Sequence, residues 1–199
     1  MKENLMPTIT TNHRPIVYDV KRNDVAFIKI YLDDLNGVQV TTSPEKADEK
    51  ISAFIKKKAD WIHERWEDTH KDLYTIDQLA LSEEEQKIAY LGRSYRLIVE
   101  KATQQTFKFQ KGKFVFHYLD GWTEEEAAEQ LIRSAKQWLY EKAAEKFPSL
   151  SEVLVETEED HTRLGKKTGQ HIHLNWRLIQ RSKENIQQTI EDLIQEKTC

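Results

Sequence analysis

Cysteine is almost absent from these 199 residues: the single one, Cys199, is the last. One thiol excludes an internal disulfide and any thiolate metal cluster. With four prolines and six glycines, the chain shows no low-complexity linker and no internal repeat. No apolar run approaches the roughly 18 residues that a membrane helix needs, and the opening MKENLMPTITTNHRP has no apolar centre of the kind a secretory signal requires. A cytoplasmic location, with no membrane partner, is the expectation. Excess positive charge is missing too, because 30 Lys and Arg stand against 34 Asp and Glu. Nucleic acid is therefore not an expected partner, since affinity for phosphates depends on clustered Lys and Arg displacing counterions. The one basic run, Lys56-Lys57-Lys58, falls inside a helical pattern and reads as a solvated face.

What is present is ample for a core, with 38% hydrophobic and 32% charged residues, in one domain or two small ones. IVYDV (16–20), VAFIKIY (25–31) and LNGVQVTT (35–42) are rich in β-branched and aromatic residues. They predict a three-stranded meander that turns at Asn36-Gly37. Ser43-Pro44 predicts a helix start, Ser as cap and Pro at the first helical position, running to about Thr69. Ala47, Ile51, Phe54, Ile55, Ile62 and Trp66 form its apolar stripe. His63 and His70 near its end lack an acidic or histidine partner on that stripe and read as surface residues.

KIAYLG (87–92), YRLIVEK (95–101), TFKFQ (106–110) and KFVFHY (113–118) predict strands paired antiparallel in sequence, with His117 at the rim. Residues 121–148 then predict a long helix. Thr123 and Glu126 make its capping box, Ala128, Leu131, Ile132, Ala135, Trp138 and Leu139 its stripe, and Pro148 its stop. The acidic residues of its first turn suit the helix dipole rather than catalysis. Residues 1–120 are expected to form a β-rich N-terminal region and 121–199 an α+β region.

SEVLVETEED (151–160) and HIHLN (171–175) predict strands joined by the connection RLGKKTG (163–169). Residues two apart on a strand share a face, so His171 and His173 point one way and Ile172 and Leu174 into the core. Two imidazoles could ligate a metal if Asp160 or His161 approached across a hairpin. Zinc, however, wants three or four convergent ligands with supporting hydrogen bonds, and this face reads as solvent-exposed. His161, Arg163, His171 and His173 are the candidate surface site; no catalytic residue and no metal ligand is assigned. Residues 181–197 predict a helix capped by Ser182, with Ile186, Ile190, Leu193 and Ile194 on its apolar stripe. Asp192 and Glu196, one turn apart, read as a solvated acidic pair rather than a cation site.

The motifs NGVQV, FIKKKADWI, YLGRSYRLIVE, QWLYEKAAEKF and RLGKKTGQHIHLNWRLI, in that order, resemble the YgjP-like zinc metallopeptidases, relatives of the zincin proteases. The resemblance covers roughly residues 14 to 190. It implies an α+β fold with a zincin-like helix, a β-hairpin and a terminal helix. In active relatives it also implies zinc held by a His-Glu-x-x-His helix, whose glutamate is general base on a metal-bound water. Arg163 and Gly165 keep two positions of the family's Arg-Trp-Gly, and Leu174 to Ile179 fit the following strand. Where the metal helix is expected, the chain reads Ile190-Glu191-Asp192-Leu193-Ile194-Gln195-Glu196, without histidine. None of the family's metal ligands carries over, so no cofactor is expected.

Two expectations follow. The chain is a metallopeptidase-like protein that is inactive as encoded, a pseudoenzyme or a truncated product; alternatively it is a peptide- or protein-binding module on a degenerate zincin scaffold. Hydrolysis through His161, Arg163, His171 and His173 is a further alternative. The apolar stripe of the terminal helix is expected to be partly exposed.

Overall fold

Gly37–Thr42, the most completely buried of the N-terminal strands, sits where a central strand must sit. The computed structural model describes residues 7–11, 14–81 and 85–195. Its first sheet contains β1 (Thr8–Thr11), β2 (Arg14–Arg22), β3 (Lys29–Asp33) and β4 (Gly37–Thr42), in the order β1-β2-β4-β3. β4 pairs parallel to β2 and antiparallel to β3. The expected meander is thus not formed, because β4 inserts between its two predecessors. The reason lies in burial: Val38 and Val40 are fully buried, and a strand covered on both faces belongs inside a sheet. β3, with Tyr31 half exposed, takes the edge.

The same insertion recurs twice. β5 (Lys87–Tyr90), β6 (Arg93–Ala102), β7 (Thr106–Gln110) and β8 (Lys113–Leu119) take the order β5-β6-β8-β7. β8, carrying the fully buried Phe114 and Phe116, runs parallel to β6. The all-antiparallel expectation therefore holds only for β5–β6 and β7–β8. β9 (Leu154–Glu158), β10 (Gly165–Thr168) and β11 (His171–Asn175) take the order β10-β11-β9, with β9 and β11 parallel.

The helix predicted from Ser43 to Thr69 forms as two, α1 (Asp48–Lys57) and α2 (Ala59–Thr69). Ser43 and Pro44 are instead used in a turn closed by the Lys46 amide on the Ser43 carbonyl (3.2 Å) and pinned by Arg22 on the Pro44 carbonyl (3.1 Å). Lys58 leaves the α region (φ −103°, ψ 5°), and its amide donates to the Ile55 carbonyl (2.9 Å), a tightened turn that re-aims the stripe. Ile51, Ile55, Ala59, Ile62 and Trp66 are buried, whereas Ala47 is exposed and Phe54 half-buried. α3 (Lys71–Tyr74) and a 3-10 turn at Thr75–Gln78 follow.

α4 (Glu124–Lys146) forms with the capping box between Thr123 and Glu126. Its fully buried line is Ala127, Leu131, Ala135, Leu139 and Ala143, spaced by four. The alanines leave room for the 3-10 turn Trp176–Gln180 to pack closely against it. α5 (Lys183–Gln195) is capped by Ser182, whose hydroxyl accepts from the Asn185 amide (3.2 Å). Its stripe is covered better than expected: Ile186, Ile190 and Leu193 are buried against β10 and β11, and only Ile194 is 37% exposed. Glu196 of the acidic pair lies outside the described residues. Among the described residues no helix is long and apolar enough to cross a membrane.

The described side chains form two apolar clusters. One joins the first sheet to α1 and the start of α2; the other joins the remaining sheets to α4 and α5. Gly37 ties them together, and Gly92 makes a similar close approach within the second. Gly37, at φ +75°, lies so close to the Thr162 carbonyl that a Cβ would stand 1.7 Å from its oxygen, and the Leu35 carbonyl accepts from the Leu164 amide at 3.0 Å. Gly92, at φ +76°, abuts Ser182 in the same way.

Candidate functional site

The four candidate surface residues come together as two pairs, each gathered on a glutamate of β9. The alternation that buries Val155 turns Glu156 and Glu158 to the other face. Register places His173 opposite Glu156 and Asn175 opposite Glu158. His171 Nδ1 and His173 Nδ1 each lie 3.4 Å from a different oxygen of Glu156, with the two rings nearly parallel. Further along, His161 Nε2 lies 3.4 Å from Glu158, and Arg163 Nε donates to the same carboxylate oxygen at 3.0 Å. Arg163 is buried, so it is not a surface residue as expected; its charge is compensated by the buried Glu158. Both glutamates were visible in the alternation of SEVLVETEED, but alternation alone does not say which strand lies opposite.

Asn175 fixes the loop between β9 and β10. Its amide nitrogen donates to the carbonyls of His161 (3.0 Å) and Arg163 (3.1 Å), and its side-chain oxygen accepts from the Arg177 amide (3.0 Å). That loop forms one wall of a cleft of about 730 Å³ at the carboxyl ends of β9 and β11. At the cleft floor, Arg177 is 2% exposed, its guanidinium 4.2 Å above the Tyr74 ring. It lies 2.7 Å from the Asp77 carboxylate and 2.9 Å from that of Asp160, and it donates to the Leu73 carbonyl at 2.9 Å. Lys136 of α4 also pairs with Asp77. Tyr74 donates to Asp160 (3.3 Å) and accepts from the Trp66 indole (2.9 Å).

These surroundings reset the titrating groups. Burial would raise the Asp77 carboxyl, but Arg177 and Lys136 outweigh it and hold it below the usual range. Burial pushes the Tyr74 phenol up, and Asp160 adds to the effect. The His161 imidazole is pushed below its ordinary value by burial, against the pull of Glu158.

His63 and His70 are corrections to the sequence reading. Expected at the surface, they are 8% and 4% exposed. The break at Lys58 re-aims the α2 face that carries them inward. His63 joins the cleft wall; His70 packs on Trp66, ring centroids 4.1 Å apart, with Nδ1 3.4 Å from Arg181. Burial holds both imidazoles down at about 4, with Arg14 adding to the effect at His63 and Arg181 at His70.

The donor set that zinc would need does not converge. On α5, where the family resemblance places the metal helix, Glu191, Asp192 and Gln195 are exposed, and Asp192 accepts from Gln188 at 2.8 Å. A carboxylate pair without imidazole does not fit a zincin centre. Among the described residues no group of three or more His, Cys, Asp or Glu side chains is arranged to hold a metal ion.

In this α+β chain the hairpin of β10 and β11 leads through LNWRLI into α5. The family model described as YgjP-like, metallopeptidase domain, matches residues 27–190, and the chain belongs to this family. No curated protein and no solved structure matches it.

Proposed function

We propose that this chain is a non-catalytic member of the YgjP-like metallopeptidase family that binds extended peptides. The observation that carries the proposal is the surface of α5. Glu191, Asp192 and Gln195 stand where the family resemblance calls for imidazole and a general base. Hydrolysis in this class rests on a metal that lowers the pKa of its bound water, and the described residues of α5 offer no imidazole to hold one. Recognition depends on other features. A peptide pairs with a sheet edge through main-chain hydrogen bonds, and side-chain pockets read its sequence. β9 and β10 are the outer strands of their sheet, and Leu154 on β9 is 50% exposed.

Fluorescence anisotropy with a set of extended peptides, followed by mass spectrometry of the same mixtures, tests the proposal. Saturable binding with every peptide recovered intact is expected. Cleavage that a chelator abolishes would overturn it.

A further inference from the structure

The geometry points to the cleft at the carboxyl ends of β9 and β11 as a binding site for a primary ammonium group. It is not the position of the family's metal helix. The α5 carboxyl end lies by His171, where Lys167 donates to the Ile194 carbonyl at 3.2 Å. The cleft begins beyond Asn175, at the other end of β11, roughly 15 Å away for a five-residue strand.

Two buried side chains of the cleft wall call for a ligand. His63 is 8% exposed and its Nε2 has no protein partner; Thr162 is 3% exposed and its hydroxyl has none either. They come from different elements, α2 and the loop after β9. Buried polar atoms are almost always hydrogen-bonded. Other orphans, such as Thr42 Oγ1 and His70 Nε2, lie elsewhere, but His63, Thr162 and His161, whose Nδ1 is also without a partner, all line this one cleft, which has room for a small polar ligand.

Charge decides its class. Arg14, Lys136 and Arg177 face four carboxylates, Glu67, Asp77, Glu159 and Asp160. Arg14 pairs with Glu67, Lys136 with Asp77, and Arg177 with Asp77 and Asp160. Glu159 is the surplus carboxylate, exposed and without an ion-pair partner among the described residues. The imidazoles are not counted among the cations, since burial lowers both His63, to about 4, and His161. The complement is one positive charge. Among the described residues no group of three or more His, Cys, Asp or Glu side chains is arranged to hold a metal ion. An ammonium needs only hydrogen-bond acceptors, and Glu159, Asp160 and the His63 imidazole, all of which line the cleft, are acceptors. A peptide's free amino terminus and a lysine side chain carry the same group, and choosing between them rests on the peptide-binding function proposed above.

The test is a titration of the full chain followed by the ring-proton resonances of His63. The probes are triglycine amide (free α-ammonium), N-acetyl-lysine methylamide (side-chain ammonium) and N-acetyl-triglycine amide (neither), at millimolar concentration. At least one of the first two is expected to bind and shift His63, the third to leave it unmoved. Which of the two binds identifies the source. Glu159→Gln, at an exposed position that folding does not need, is expected to weaken that binding about tenfold. Equal shifts with the acetylated triglycine, or no shift with either ammonium probe, would overturn the site. Peptides that bind while His63 stays unmoved would leave the peptide-binding function standing and remove only this cleft from it.

Discussion

At Arg177 two carboxylates, a backbone carbonyl and two aromatic rings meet. A guanidinium at 2% exposure lies between two carboxylates and over an aromatic ring, and Asp77 and Asp160 offset the cost of burying its charge. Arg177→Met removes one partner and leaves both acids facing a buried apolar group. A loss of about 3–5 kcal/mol is expected in urea unfolding, and a loss below about 1 kcal/mol would mean the cluster behaves as a surface ion pair. The buried histidines make a second prediction. Both imidazoles have an ordinary value of 6.5 and are held at about 4 in the folded chain, His63 among Arg14, Asp60 and Asp160, His70 among Arg181, Asp34 and Asp72. As pH falls from 6.5 towards 4, the unfolded chain takes up these protons first. Stability is therefore full above 6.5 and lost progressively below it, by up to about 3 kcal/mol per histidine. Urea midpoints measured across that window should fall with pH, and the double variant His63→Gln, His70→Gln should flatten the slope. An unchanged slope in the variant would show that other groups dominate.

At the scale of elements, the strand-insertion topology sets what the loops can do. Because β11 lies between β9 and β10, the loop 159–164 must cross over its end, and the Asn175 side chain holds that loop with two hydrogen bonds and the Arg177 amide with a third. Asn175→Ala leaves two buried carbonyls and one buried amide to find other partners. It is expected to cost about 2–3 kcal/mol and to speed amide exchange in residues 161–164 ahead of global unfolding. Exchange that stays as slow as in the core would contradict this role. The elements themselves were largely legible: alternation located the strands, and Thr123-x-x-Glu126 located the start of α4. Their pairing was not legible. Period-two alternation fixes which face of a strand is buried but not which strand lies beside it, so Glu156 and Glu158 could not be assigned to His173 and Asn175. The break at Lys58 was hidden for a similar reason. Neither proline nor glycine marks it, and the inward turn of His63 and His70 follows from it.

For the whole molecule, the cleft is a tertiary product. Arg14, His63, Asp77, Lys136, Asp160 and Arg177 come from six separate parts of the chain, and no local spacing announces them. Of the four residues the sequence singled out, His161 lines the cleft, Arg163 is buried against Glu158, and His171 and His173 lie on the outer face of β11, paired to Glu156. What was legible at this scale was family and fold class: the order of motifs over roughly residues 14–190 pointed to the family whose model matches residues 27–190. The missing donors of α5 were legible as well, because an imidazole is either in the sequence or not. Purified full-length protein, stripped of loosely held metal and weighed by native mass spectrometry, tests the central claim most directly. The account predicts the apo mass, with no zinc retained at one equivalent. A stoichiometric zinc that survives stripping would contradict it and would turn attention to His161, His171 and His173 as ligands.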